Sequence, residues 1–205
     1  MLKIINNTTM GILKQLGIAK NNTQTVRLFE GLMGQATFQN IAYQTPSDYI
    51  RQYWQAIPQG TNPTTRGSLF ELIVYTLLYR ENIKPFYTQA KVAFVPNVHF
   101  DALLYNQSSP VSLSVKTSLR ERYKQADLEA IALKYVHRRS KCYLLTMDSH
   151  EARVQKSKIL NGEIIGLDEI IDCNTNDIDN LIANLKTQQF TQSQQINVVE
   201  GNLIN

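Results

Sequence analysis

The sequence has few cysteines, no long apolar run and no apolar core near its start, features that would mark disulfide-rich, membrane-spanning or secreted proteins. It has two cysteines, Cys142 and Cys173, which lie in apolar surroundings without CxxC spacing and therefore indicate the reduced thiols of a cytosolic protein. No apolar run approaches the roughly 18 residues that a membrane-spanning helix needs. The first residues lack the long apolar core of a secretory signal. We therefore expect a soluble protein of the cytoplasm with no membrane partner.

Charged residues are also few, and their placement is more informative than their number. They make up 19% of the 205 residues, too few for a disordered chain, while the 43% apolar content fits a folded domain. The net charge is +4, but segment 112–142 has eight Lys or Arg against three acids and carries +5, which leaves −1 elsewhere. Such a basic block suits a polyphosphate partner. A solvated helix face is the alternative that stays open here.

Apolar periodicity predicts a helical N-terminal part followed by a sheet. Helix-period spacing recurs in segments 12–17, 26–33 and 46–54. After a loop predicted at 59–67, an almost wholly apolar helix is expected at 68–79. A period of two then predicts strands at 90–95, 98–105 and 111–118.

The remaining elements complete an α/β order. We expect a long helix at 119–138, strands at 142–147 and 163–167, and a last helix within 168–185. The predicted fold class is α/β: one domain with a mixed β-sheet core flanked by helices at 67–185 and a helical annex at 1–60. The Gln- and Asn-rich tail at 186–205 is expected to be poorly ordered.

Two charged residues occupy neighbouring predicted strands. In strand 111–118, alternation places three apolar side chains on one face and Lys116 among serines on the other. A lysine in the middle of a sheet is costly unless its ammonium has a partner or opens on a cleft. Asp101, on the preceding strand, can supply that partner. A purely structural salt bridge is the alternative, although buried pairs contribute little stability.

Two glutamates can join this pair. In the predicted helix 119–138, Glu129 falls within the apolar stripe and should point inward; a partner such as Arg122 or Lys116 would equally explain it. Glu71 lies in the apolar helix 68–79. There the Ser68-x-x-Glu71 spacing also matches a capping box, in which Glu71 would serve the helix start rather than a site.

The order of a helix with Glu, a strand with Asp, a strand with x-x-Lys and a basic helix resembles the PD-(D/E)xK nuclease superfamily, which includes many type II restriction endonucleases. The resemblance covers roughly residues 67–147. Asp101 stands at the aspartate of that motif and Lys116 at its lysine. Ser114 replaces the usual acid, as in members of the superfamily whose second carboxylate comes from the following helix, where this chain has Glu129.

The resemblance implies a Mg²⁺-dependent endonuclease that acts on double-stranded DNA, of the type II restriction kind and working as a homodimer. The expected metal ligands are Asp101, Glu129, Glu71 and the carbonyl of Val115, with Lys116 orienting the attacking water. Expected DNA contacts are Ser114, Thr117, Ser118, Arg120, Arg122 and Lys124. A repair or recombination nuclease of the same fold and an inactive DNA-binding protein are the alternatives.

Overall fold

The structure is a computed structural model, and it describes residues 11–95, 97–193 and 198–205. Three helices form the annex: α1 (Ile12–Gln15), α2 (Gln24–Gly31) and α3 (Pro46–Ala56). Thr23 and Thr45 cap α2 and α3 by accepting hydrogen bonds from N–H groups of the first turn, which satisfies donors that have no partner within the helix. The helical annex predicted from the sequence is confirmed over these residues.

The long helix α4 (Pro63–Arg80) begins earlier than predicted. The side chain of Asn62 accepts from the N–H of Thr65, and Pro63 occupies the first turn, so residues assigned to a loop are helical. Ser68 therefore lies inside the helix, and the capping box proposed for Ser68 and Glu71 is wrong. The burial predicted for the apolar part of α4 is confirmed, because both faces of the helix are covered from Leu69 to Leu78.

In the part of the chain that the structure describes, six strands form one mixed sheet in the order β5-β4-β3-β2-β1-β6. The strands are β1 (Phe86–Val92), β2 (Phe100–Leu104), β3 (Val111–Val115), β4 (Lys141–Thr146), β5 (Glu169–Asp172) and β6 (Val198–Ile204). β1, β2 and β3 pair antiparallel as a meander, and β3, β4 and β5 pair parallel. Parallel neighbours need crossover helices, which are α5 (Arg122–Val136) and α6 (Ser149–Leu160). The predicted α/β class with a mixed sheet is confirmed.

Helices cover both faces of the sheet. One core joins α4, α7 (Asn176–Lys186) and the annex to the face of β3 that carries Val111, Leu113 and Val115. The second core lies under α5 and α6 and includes Leu133, Ala152 and Leu144. Alternation along β3 therefore turns Ser112 and Ser114 toward α5, on the face opposite the three apolar side chains, as predicted.

The strand predicted at 163–167 is wrong. These residues pack against α5: the N–H groups of Gly166 and Leu167 donate to Asp127 Oδ1 at 2.6 and 3.1 Å, and β5 starts after them, at Glu169. A Cβ at Gly166 would lie 2.3 Å from the carbonyl oxygen of Asp127, so only glycine permits this approach. Two further differences from the predictions are that α6 was not anticipated and that β1 begins at Phe86.

The C-terminal tail is ordered where the structure describes it, contrary to the prediction. β6 pairs antiparallel with β1 at the edge of the sheet, and Ile204 is buried in the core. Residues 194–197 of the predicted tail lie outside the described residues. No helix in the described part of the chain is long and apolar enough to cross a membrane.

Candidate active site

Asp101 and Lys116 meet where β2 and β3 separate. The pairing of the two strands ends at Ala102 and Leu113. Beyond that point Oδ2 of Asp101 accepts hydrogen bonds from the N–H of Val115 and from Nζ of Lys116, both at 2.7 Å. The Asp101 and Lys116 side chains are only 9% and 14% exposed. The structure thus brings the two residues of the predicted pair together where the two strands separate.

The backbone around this pair is held on both sides. The N–H of Lys116 donates to the carbonyl of Leu145 at 3.0 Å, which continues the parallel pairing of β3 with β4. The buried hydroxyl of Tyr75, on α4, donates to the carbonyl of Asp101 at 2.7 Å. Both charged residues therefore project from backbone that neighbouring elements fix.

Glu71 approaches the pair from α4. Its Oε2 lies 3.1 Å from Nε2 of Gln89 and 3.4 Å from the hydroxyl of Tyr75. Burial raises the pKa of Glu71 to about 7, and the negative charge of Asp101 adds to the rise, while the Lys116 ammonium opposes it. Glu71 therefore lies close enough to Asp101 for the two carboxylates to repel each other.

Glu129 approaches from the opposite side, on α5. Its side chain is half-buried and accepts a hydrogen bond from Gln125 at 2.7 Å, rather than an ion pair from Arg122 or Lys116. Burial raises its pKa, against the hydrogen bond from Gln125 and the positive charge of Lys116. The predicted inward orientation of Glu129 is confirmed.

A small cavity separates Glu129 from Asp101. Its volume is about 10 Å³, room for roughly one water-sized occupant, and its polar lining is Asp101, Ser112, Ser114 and Glu129. The Ser114 hydroxyl is buried and has no hydrogen-bond partner among the described residues. An orphaned buried hydroxyl is costly, which indicates that an occupant with a polar atom belongs there. Within the described residues, no three His, Cys, Asp or Glu side chains lie close enough together to hold a metal ion as they stand.

The basic residues at the start of α5 differ in their surroundings. Arg120 and Arg122 are exposed and form no ion pair with a described residue, whereas Lys124 pairs with Glu121 at 2.6 Å. The N–H groups of Leu119 and Arg120 already donate to the carboxylate of Glu151. Thr117 and Ser118, between Lys116 and α5, are partly exposed.

Two residues of the site were not predicted from the sequence. Tyr75 follows Glu71 by four residues in a helix, so the two share a face, and this spacing was an available signal. Gln89 lay outside every predicted strand. Its contact with Glu71 depends on how β1 bends against β6, and nothing in the local sequence reveals that.

The mixed sheet with helices on both faces is a distant restriction-endonuclease-like fold. Among solved structures, the chain is similar to the restriction endonuclease PspGI in complex with its substrate DNA. The TM-score is 0.50 and the sequence identity 17%, over 76% of this chain and 72% of that one. No protein-family model and no curated protein sequence matches the chain.

Proposed function

We propose that this protein is a Mg²⁺-dependent endonuclease that hydrolyses phosphodiester bonds of double-stranded DNA, of the type II restriction kind. The observation that carries the proposal is the bonded Asp101–Lys116 pair, with Glu71 and Glu129 approaching it from opposite faces of the sheet. The likeness of the fold to a restriction endonuclease solved with substrate DNA supports it.

The chemistry of the donors suits a hard divalent cation, and binding requires the carboxylates to lie closer together than they do in the structure. Asp101, Glu71 and Glu129 supply only oxygen ligands, as Mg²⁺ prefers, and the carbonyl of Val115 is a fourth. A cation among them would offset the repulsion between Asp101 and the two glutamates. The orphaned hydroxyl of Ser114 lies beside the cavity that Asp101 and Glu129 line, on the α5 side of the site. When bound, the ion supplies positive charge that polarises the scissile phosphate and acidifies a water.

Lys116 has two roles in this proposal. Its ammonium orients the attacking water, and its charge offsets the negative charge that develops on the phosphate. Asp101 fixes the position of that ammonium through Oδ2. No described residue donates a hydrogen bond to Oδ1, which leaves this oxygen for the cation.

DNA would reach the Asp101–Lys116 pair along the segment that follows Lys116. Arg120 and Arg122 are exposed cations without acidic partners among the described residues, so we expect them to contact phosphates, with Thr117 and Ser118 nearby. Lys124 can join them once Glu121 releases it. Ser114, expected at first to touch DNA, is better placed inside the cavity. Cutting both strands of a duplex suits a homodimer with two-fold symmetry.

A catalytically inactive DNA-binding protein is the second candidate. The replacement of the usual acid by Ser114, together with the occupation of Asp101 Oδ2 by two donors, favours it. It predicts DNA binding without cutting.

Incubation of plasmid DNA with the protein separates the two candidates. We expect the wild type to cut in Mg²⁺ and not in EDTA, and Asp101→Ala and Lys116→Ala to be inactive. Glu71→Gln and Glu129→Gln, assayed alongside, identify which glutamate the reaction needs. Binding of varied DNA substrates by the wild type without any Mg²⁺-dependent cutting would establish the inactive candidate instead.

A further inference from the structure

Gln89 has an unusual backbone conformation in the middle of β1. Its φ is 49°, in the left-handed region that residues other than glycine rarely adopt within a strand. The pairing of β1 with β6 shifts by one residue there: Thr88 opposes Asn202, but Lys91 opposes Glu200. Two residues of β1 thus face the single residue Gly201, which is a β-bulge.

Glycine is the usual residue at the left-handed position of such a bulge. A glutamine there carries backbone strain that glycine would avoid. Retaining a long polar side chain at this cost needs a reason, and bulges beside active sites commonly redirect a side chain.

The Gln89 side chain is directed to the candidate active site. Thr88 pairs with Ala102 and Ala90 with Phe100 on β2, so Gln89 lies beside Asp101. Its Nε2 donates to Oε2 of Glu71 at 3.1 Å.

The Tyr75 hydroxyl is the other described group in contact with the Glu71 carboxylate. The hydroxyl of Tyr75 has one proton, and the short bond to the carbonyl of Asp101 at 2.7 Å uses it, whereas its distance to Glu71 is 3.4 Å. Gln89, whose Nε2 also lies 3.4 Å from the Tyr75 hydroxyl, therefore makes the shorter of the two hydrogen bonds that described residues donate to the Glu71 carboxylate.

We propose that Gln89 is a positioning residue, which the bulge of β1 aims at Glu71 so that the Glu71 carboxylate is held ready for the cation. This inference rests on the proposed function, because it assigns Glu71 a role as a metal ligand. The competing explanation is structural: the bulge only fits β1 to the edge strand β6, and the glutamine side chain is incidental.

Two substitutions separate these explanations. Gln89→Gly removes the amide and relieves the strain, and Gln89→Asn tolerates the left-handed conformation but is one methylene too short to reach Glu71. Asn82→Gly is the matched control. Asn82 also has a positive φ, 56°, and lies just beyond the C-terminal end of α4, away from Glu71.

The measurement is a calorimetric titration of the metal-free full-length proteins with Mn²⁺ in the absence of DNA, accompanied by thermal unfolding. Loss of the binding heat in Glu71→Gln confirms that the heat measured for the wild type comes from this site. We expect both Gln89 variants to bind Mn²⁺ roughly tenfold more weakly, since each loses a hydrogen bond to a charged group. The Tm of Gln89→Gly should not fall, and Asn82→Gly should bind like the wild type.

Wild-type Mn²⁺ affinity in both Gln89 variants would overturn the inference, and so would a wild type that binds no Mn²⁺. If the protein is not a nuclease, the result is different: the wild type binds Mn²⁺ at Glu71 but cuts no DNA. In that case the comparison of Mn²⁺ affinities still decides the role of Gln89.

Discussion

Nζ of Lys116 lies 2.7 Å from Oδ2 of Asp101, and the same oxygen accepts the N–H of Val115, so a single carboxylate oxygen joins the ends of two strands. Both side chains are largely buried. Because desolvation cancels most of the attraction in such a pair, it contributes little net stability. The pair is thus better explained by the chemistry that it positions.

Removing one partner of this pair should cost more than removing both. Lys116→Met leaves the Asp101 carboxylate buried beside Glu71 without its cation, and we expect a loss of about 3 kcal/mol in the free energy of unfolding. The double variant Asp101→Asn/Lys116→Met should recover most of that loss, because the amide oxygen of the introduced side chain still accepts the N–H of Val115. Urea denaturation in EDTA measures both values. Equal losses in the two variants would indicate that the charges are not coupled.

Stability should depend on pH through Glu71. Its pKa is about 7 in the folded protein and near its ordinary value when unfolded, so the folded state binds more protons between about pH 4.5 and 7. The free energy of unfolding therefore falls as pH rises through this window, by on the order of 3 kcal/mol. Glu71→Gln removes this dependence. In EDTA, the variant should match the wild type at pH 5 and exceed it at pH 8. A constant difference across that range contradicts the prediction.

The contact of Gly166 with α5 should affect both stability and the site. An alanine Cβ would lie 2.3 Å from the backbone oxygen of Asp127, so α5 must shift and Glu129 must shift with it. We expect Gly166→Ala to lose about 1–3 kcal/mol and to bind Mn²⁺ more weakly. Gly67→Ala, in α4 where a Cβ meets no atom within 4 Å, is the control and should gain about 1 kcal/mol. Unchanged Mn²⁺ binding by a folded Gly166→Ala would show that α5 contributes no ligand to the proposed metal site.

The two pairs of arginines at the ends of α5 should differ in their contribution to DNA binding. Arg120 and Arg122 lie at the start of α5, a few residues after Lys116, whereas Arg138 and Arg139 follow the other end of the helix. Replacing the first pair by alanine should weaken binding and lower the slope of log K against log salt by about 1 for each phosphate that is no longer neutralised. The second pair, replaced in the same way, serves as the charge-matched control. Equal weakening by both pairs would show non-specific attraction alone. Binding without Mg²⁺, across a salt series, provides the measurement.

The sequence predicted those parts of the site that depend on local periodicity. The period of two in β3 correctly placed Ser112 and Ser114 on the face opposite Val111, Leu113 and Val115, and the period of a helix correctly turned Glu129 inward. Both are consequences of alternation within one element. The α/β class followed from the order of such elements.

What the sequence did not predict depends on contacts between distant segments. The strand expected at 163–167 is held on α5 by Asp127, and the polar tail becomes β6 because Ile204 and its neighbours complete the edge of β1. The same pairing produces the bulge that turns Gln89 toward Glu71. No local pattern encodes a partner that lies about a hundred residues away.

Asp101 and Lys116 are proposed to carry out DNA cleavage, and a single-turnover assay tests this role most directly. The wild type, Asp101→Ala and Lys116→Ala are compared on one cleavable DNA in Mg²⁺, after folding and DNA binding have been verified for each. We predict that both variants bind the DNA and cut it at least roughly 10²-fold more slowly. A folded, DNA-bound variant that cuts at the wild-type rate would contradict the account.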